Sequence, residues 1–255
     1  MATRSRLAPH EPTARLLERA ARATPAAVDA ASHGWWLRHT TARQMSANAV
    51  IAHVSDGRLD ESIDAAERFY RTYESPARFQ LCAGCVPGLD DLLDVRAYAR
   101  TAPVSLETCA ADEVGAPRPR RGLRADVAYE PTPDWLAVAN SDAEPSDAAR
   151  GGLLRRVRNP STYVTVYERN EPIAIGRSVA ERGWAGVFDM ATLPLARGRG
   201  AGRLVLSTLA LASIDRGAQW VYLQVERAND RARRLYRRAG FREIDTYYYR
   251  VRPRV

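Results

Sequence analysis

The sequence contains no lysine: all 38 of its basic residues are arginine. That absence excludes a Walker-type phosphate loop, which needs a Gly-Lys-Ser/Thr ending. Cysteine is also scarce. Cys82, Cys85 and Cys109 are the three present, and an odd, low count argues against a disulfide framework. Cys82-Ala-Gly-Cys85 has the spacing of a metal or redox pair, but a structural zinc takes four ligands, and neither a second pair nor clustered histidines follow. The pair reads as a strand-end cysteine and a loop cysteine, and no metal is expected. No apolar run approaches the ~20 residues of a membrane span. The start, Met1-Ala-Thr-Arg-Ser-Arg, lacks the apolar centre of a secretory signal. A cytoplasmic protein with no membrane partner is the expectation.

The 255 residues suffice for one large domain or two small ones, with 45% apolar and 27% charged residues as in ordinary globular chains. The formal net charge is +8. Acidic residues are interspersed with the arginines and no long basic block exists. The abundance of arginine and alanine reads as codon bias of a GC-rich, bacterial genome, so nucleic-acid binding is not expected.

The clearest pattern lies toward the C-terminus. Alternating Val, Tyr and Thr predict a strand over 163–168, with further strands over 173–180 and 185–193 separated by turns at Asn170-Glu171-Pro172 and Gly183. A glycine-rich run, Gly198-Arg-Gly200-Ala-Gly202, leads into a helix with Leu204, Leu206, Leu209, Leu211 and Ile214 as its apolar positions and Gly217 as its cap. A strand over 219–225, a helix over 229–238 and a strand over 241–251 complete the half. Upstream, 126–130 reads as a strand, and 133–139 and 147–157 as short helices. The Pro-, Gly- and Arg-rich stretch 112–124 is the best linker candidate.

The first half predicts strands over 35–39 and 48–53, a helix over 61–73, a strand over 78–82, a helix over 89–97 and a strand over 100–108. A single offset of 143 places Tyr98 under Phe241, Leu92 under Leu235, Gly57 under Gly200 and Cys82 under Val225. A shared element order at constant offset suggests an internal duplication. The expected division is a first domain over 1–115, a linker over 116–123 and a second domain over 124–255.

The glycine run sits between a strand and a helix. Glycine lets a ligand approach the backbone closely. The free N–H groups and dipole of a helix N-terminus attract phosphate, and Arg197, Arg199 and Arg203 add full charges. A pyrophosphate is the natural guest. A dinucleotide fingerprint is disfavoured, because antiparallel strands precede the glycines.

Leu193-Pro-Leu-Ala-Arg197-Gly198-Arg199-Gly200-Ala201-Gly202-Arg203 resembles the acyl-CoA signature of the GNAT acyltransferase superfamily. The run from Leu223 through Asn229, Ala232, Leu235 and Tyr236 to Gly240-Phe241 resembles that family's second motif. The resemblance covers roughly 124–255 and reaches the first half in element order alone. It implies an α+β fold of α/β/α layers around a mixed, mostly antiparallel sheet, with two GNAT-like halves as in tandem acyltransferases. The first half is expected to be degenerate: at the 143 offset Arg197 falls on Val54 and Gly202 on Leu59.

By the same resemblance, the main chain at Gly198, Gly200, Ala201 and Gly202, with Arg197, Arg199, Arg203 and Arg233, holds the coenzyme pyrophosphate. Ala191 and Leu193 pair with the pantetheine arm, and a main-chain N–H near Met190 holds the oxyanion. Asn229 is a helix cap, a contact to the coenzyme arm, or both. Tyr236 is the acid that returns a proton to the thiolate, against the alternative of a packed helix tyrosine. Asp189 and Glu226 are the candidate bases, with water-mediated proton removal as the third option. The implied activity is transfer of an acetyl group from acetyl-CoA to a primary amine of a small molecule, with a peptide or protein N-terminus second. A non-catalytic acyl-CoA-binding protein is the competing class. A monomer or homodimer is expected.

Overall fold

The computed structural model describes residues 11–41, 47–55, 57–83, 85–118, 121–141 and 150–252. The chain forms two compact units. One comprises Pro12–Ser105 with Asp245–Val255, the other Leu106–Ile244. The expected division differs in two places: 106–115 packs with the second unit, and the last residues pack with the first.

The first unit contains α1 (Thr13–Ala23), β1 (Val28–Ser32), β2 (Trp35–His39), β3 (Val50–Ile51), α2 (Leu59–Arg71), β4 (Arg78–Cys82), α3 (Leu89–Val95) and β5 (Ala99–Arg100). The sequence reading misses α1, β1 and β5. In α1, alanine and arginine dilute the apolar period, yet Leu16, Leu17, Ala20 and Ala21 still form a buried stripe. The strand order is β1-β2-β3-β4-β12, where β12 is the last strand (Arg242–Val251). Its end pairs antiparallel with β4 from Tyr247↔Cys82 to Val251↔Arg78, whereas β3 and β4 run parallel. Trp35, Ile63, Tyr70, Phe79, Leu89, Leu93 and Tyr98 fill the core. Cys82 and Cys85 are joined by a disulfide. The expected strand-end and loop positions hold, but the two sulfurs are bonded rather than separate.

The second unit contains β6 (Val104–Ala110), which enters from the first unit, then β7 (Leu123–Ala128), α4 (Pro133–Ala139) and α5 (Arg150–Leu154). These are followed by β8 (Ser161–Glu168), β9 (Glu171–Glu181), β10 (Trp184–Thr192), α6 (Ala201–Asp215), β11 (Trp220–Glu226) and α7 (Asp230–Arg238). Of the helix expected over 147–157, residues 147–149 lie outside the described residues. The order is β6-β11-β10-β9-β8-β7. Neighbours β7 to β10 are antiparallel and β10–β11 is parallel, a mixed, mostly antiparallel sheet flanked by helices. Helix α6 is its keel: Leu204, Val205, Leu206, Leu209 and Ala210 are buried against Val164, Val166, Ala174, Ala185 and Val221. Each leucine or valine among them contributes ~1.5–3 kcal/mol when fully buried. Leu211 and Ile214, expected on that apolar face, are instead 48% and 39% exposed.

Two pairs of positions 143 residues apart share a left-handed backbone. Gly57 and Gly200 both have positive φ, at 87° and 94°, and so do Ala97 and Gly240, at 61° and 99°. Tyr98 donates to Leu93 O and Phe241 to Tyr236 O, the same five-residue closure after α3 and α7.

Because β4 takes its outer partner from the last residues of the chain, removing Asp245–Val255 should destabilise the first unit rather than the second. Hydrogen exchange should rise across β4 and stay near wild type across β8 and β9. The reverse pattern would contradict the pairing.

Candidate active site

The site begins with an interruption in β10. Phe188 pairs with Arg177 and Ala191 with Ile175, so two residues, Asp189 and Met190, oppose the single residue Gly176 on β9. This is a β-bulge, which bends the strand and breaks the ladder locally. Asp189 adopts φ 54°, a left-handed conformation that aspartate tolerates better than most residues. Gly176 is required: a Cβ there would lie 2.6 Å from Met190 Sδ and 2.6 Å from Val205 Cγ1. The Trp135 indole Nε1, from α4, donates to the Gly176 carbonyl at 3.0 Å.

The interruption has a consequence on the other edge. The β10–β11 register runs from Trp184↔Trp220 to Val187↔Leu223 and ends there, although β11 continues to Glu226 and β10 to Thr192. The parallel strands part where the bulge begins. Leu193 donates its N–H to Ile173 O on β9 at 2.9 Å. By strand alternation from Leu193 the Thr192 N–H faces the parting, and Met190 lies in the bulge where the parting begins. Of the main-chain positions expected to meet an acyl donor, Met190 lies in the bulge at the parting. The Leu193 N–H is already engaged on the opposite edge, as Ala191 is by the same alternation.

Helix α6 starts at this opening. Gly200 is its N-cap residue with φ 94°, no side chain caps it, and its first turn holds no acidic residue. The first intrahelical bond is Leu204 N–H to Gly200 O at 3.0 Å, so the N–H groups of Ala201, Gly202 and Arg203 precede the helical ladder. A Cβ on Gly202 would sit 3.4 Å from Leu235 Cδ2 and 3.5 Å from Thr192 Oγ1, and none of the described atoms lies within 4 Å of a Cβ on Gly198. The first turn of α6, the end of β10 and α7 therefore converge.

The three arginines differ. Arg197 Nε donates to Thr192 O at 3.2 Å, beside the opening. Arg199 pairs with Glu168 at 2.6 Å. Arg203 donates to Val114 O, a tie to the turn after β6.

On α7, Asn229 Oδ1 accepts from Ala232 N at 3.1 Å, so the cap role is realised. Tyr236 is 6% exposed, and its phenol is pushed up to about 12 by burial and by the negative charge of Glu107. Glu107, on β6, is 4% exposed. Burial raises its carboxyl above the usual range, against the pull of Arg233, whose Nε lies 3.7 Å away. Sequence reasoning missed Glu107, because it lies ahead of the expected catalytic half and carries no motif.

Of the candidate bases, Glu226 is exposed at the end of β11. Asp189 is 5% exposed and holds Arg177 Nε at 2.8 Å, with Arg177 fully buried. The guanidinium carbon of Arg177 also lies 5.0 Å from the Phe188 ring centroid. This pair clamps the two sides of the bulge.

Residues 126–241 match the model of the acetyltransferase (GNAT) family. The chain is 25% identical over 244 residues to an uncharacterised N-acetyltransferase, YobR, of Bacillus subtilis strain 168, covering 93% of this chain and 98% of that one. Among solved structures it is similar to a GCN5-related N-acetyltransferase from Kribbella flavida, with TM-score 0.71, 16% identity and 97% and 98% of the two chains covered. A tandem GNAT protein from the clavulanic acid biosynthesis pathway gives TM-score 0.61 at 12% identity over 77% and 70%. These structures share the fold.

Asp189→Asn removes the carboxylate charge facing buried Arg177. A loss of about 3 kcal/mol is expected by denaturant titration, several times that of an exposed pair. A loss under ~1 kcal/mol would show that the clamp carries little.

Proposed function

We propose that this chain, whose residues 126–241 match the model of the acetyltransferase (GNAT) family, is an acyltransferase that uses acetyl-CoA to acetylate a primary amine of a small molecule by direct attack on the thioester. One observation carries the reading: an uncapped, glycine-built helix N-terminus opens beside two parted parallel strands. Coenzyme A would bring a diphosphate to that N-terminus and a thioester to the parting.

The residues present fit such a guest. Ala201, Gly202 and Arg203 offer N–H groups ahead of the helical ladder, the helix dipole adds positive potential, and the space at Gly198 admits a ligand against the backbone. Arg197 supplies a full charge at the same mouth. Asn229, with Oδ1 engaged as a cap, keeps an amide NH2 that can donate to the coenzyme arm. Arg233 adds charge on α7. Arg199 and Arg203 contribute mainly their backbone, since their side chains hold Glu168 and Val114.

For the chemistry, the N–H of Met190, in the bulge where the strands part, is the donor for the oxyanion. A preorganised donor of this kind is worth ~3–4 kcal/mol. Tyr236 keeps its proton throughout the physiological range, as an acid for the departing thiolate must. Asp189 orients the bulge. Glu226 is exposed to solvent, so the amine proton leaves through water to Glu226 or to bulk solvent. The first unit serves as a non-catalytic GNAT-like half. Val54 stands there in place of Arg197, Leu59 in place of Gly202, and buried Leu93 in place of Tyr236.

Tyr236→Phe should lower kcat on the order of 10²–10⁴-fold, with coenzyme affinity near wild type by calorimetry. The sign of the pH dependence follows from the environment. A free alkyl amine with pKa ~10 reacts only when neutral, so kcat/KM should climb with pH. The raised phenol should add no falling limb below about pH 11. Full turnover in the phenylalanine variant would remove Tyr236 as the acid, and a falling limb near pH 10 would show that burial does not raise the phenol. Thiol release should be screened across amines, aminoglycosides, amino acids and short peptides. Turnover confined to peptides would shift the acceptor class.

Gly202→Glu should abolish detectable acetyl-CoA binding, a loss of at least ~100-fold, while leaving the melting temperature unchanged or slightly higher. The position needs no positive φ, its added Cβ meets only ordinary contacts, and an acid in a helix's first turn stabilises the helix while repelling a diphosphate. Normal calorimetric affinity in this variant would refute the loop assignment. Gly200→Glu is a poorer test, because φ 94° strains any side chain there.

A further inference from the structure

The first unit carries a side-chain cluster that acyl transfer does not use. A ring nitrogen of His53 and the sulfurs of Cys82 and Cys85 all lie within 4.8 Å of one another. Cys82 ends β4, and His53 follows β3 by two residues. Because β3 and β4 are parallel neighbours, the groups meet at the carboxyl ends of adjacent strands. At the 143 offset His53 corresponds to Ala196 and Cys82 to Val225. The cluster thus stands where the second unit has its opening.

The histidine is built for ligation. Its side chain is only 7% exposed, and Nδ1 lies 3.0 Å from Glu18 Oε1 on α1. A carboxylate accepts, so Nδ1 carries the proton and Nε2 keeps its lone pair. That Nε2 is buried with no hydrogen-bond partner, an unfavourable state that calls for an explanation. The Trp35 indole Nε1 donates to Val54 O at 2.8 Å and holds the adjoining backbone. On the sulfur side, the Cys82 N–H donates to Cys85 Sγ at 3.2 Å, a contact that favours negative charge on that sulfur.

We propose that Cys82, Cys85 and His53 form a redox-gated site for a soft divalent cation of the zinc class, closed as a disulfide and opened by reduction. An external dithiol gives two electrons and two protons to the Cys82–Cys85 bond and itself becomes a disulfide, leaving two thiols. The cation then displaces both thiol protons to solvent. Two thiolates balance its charge and His53 binds neutral through Nε2. Cys2His supplies three ligands and leaves a fourth position for water. The sulfurs must separate to about 3.7 Å for tetrahedral bonds of ~2.3 Å, which side-chain rotation allows with the Cα atoms 5.4 Å apart. Glu18 is a positioning residue that fixes the tautomer and ring orientation, as carboxylates commonly do behind a metal-bound histidine. The proposal stands independently of the acyltransferase reading.

The test uses the full chain and cobalt(II) as the probe, after anaerobic phosphine reduction and removal of the reductant. Reduced protein should bind one cobalt per chain with a thiolate-to-cobalt charge-transfer band that zinc abolishes. Oxidised protein should show no band. Cys109→Ser, which alters the buried free cysteine, should leave the band intact. Glu18→Gln should weaken cobalt affinity by ten- to a hundred-fold and His53→Ala by at least as much. These variants carry the test should Cys82→Ser fail to fold. Absence of the band in reduced wild type, wild-type affinity in both the His53 and Glu18 variants, or equal binding by oxidised protein would overturn the proposal.

Discussion

The break in β10 is the constraint on which the second unit turns. Two residues must fit opposite Gly176, so Asp189 takes a left-handed conformation and the strand bends. The bend ends the pairing with β11 and turns main-chain donors toward the resulting gap. Trp135 holds the opposing carbonyl, and Arg177 and Asp189 hold the flanks. None of these residues belongs to a glycine-loop motif. They build the opening that the loop of α6 then faces, so a buried ion pair and an indole hydrogen bond serve to keep a sheet from closing.

The arginine-rich composition also takes on meaning in three dimensions. Arg250 joins Asp90, Asp94 and Tyr98 O at 2.7, 2.7 and 2.9 Å. Arg96 bridges Asp60 and Asp64. Arg177 is wholly buried, and Arg203 ties α6 to the turn after β6. A planar guanidinium with several fixed donors suits such multi-partner roles better than an ammonium. These four arginines therefore act as scaffolding, their charge matched by carboxylates or main-chain carbonyls.

Each unit contains a parallel strand pair, β3–β4 in the first and β10–β11 in the second. In the second, glycine, arginine and tyrosine surround the parting. In the first, His53 and the paired Cys82 and Cys85 gather at the carboxyl ends of β3 and β4. The element order and glycine positions were readable because backbone conformation imposes local residue choices. The cysteines were misread as independent, since spacing alone did not reveal that His53, thirty residues upstream, closes on them. Glu107 was invisible for the same reason: its neighbours Tyr236 and Arg233 lie more than a hundred residues away.

Most strands and helices of the second unit, the uncapped start of α6, the Asn229 cap and the match of residues 126–241 to the GNAT family model were determined by the sequence itself. Each depends on local periodicity or on residues a few positions apart. Tertiary structure alone decided which carboxylate is occupied by an arginine, which arginines reach the opening, and which face of β10 is open. It also decided that the last strand completes the first unit. Those outcomes depend on pairings between distant segments, where one bulge changes which edge a main-chain group faces and no local pattern records the choice.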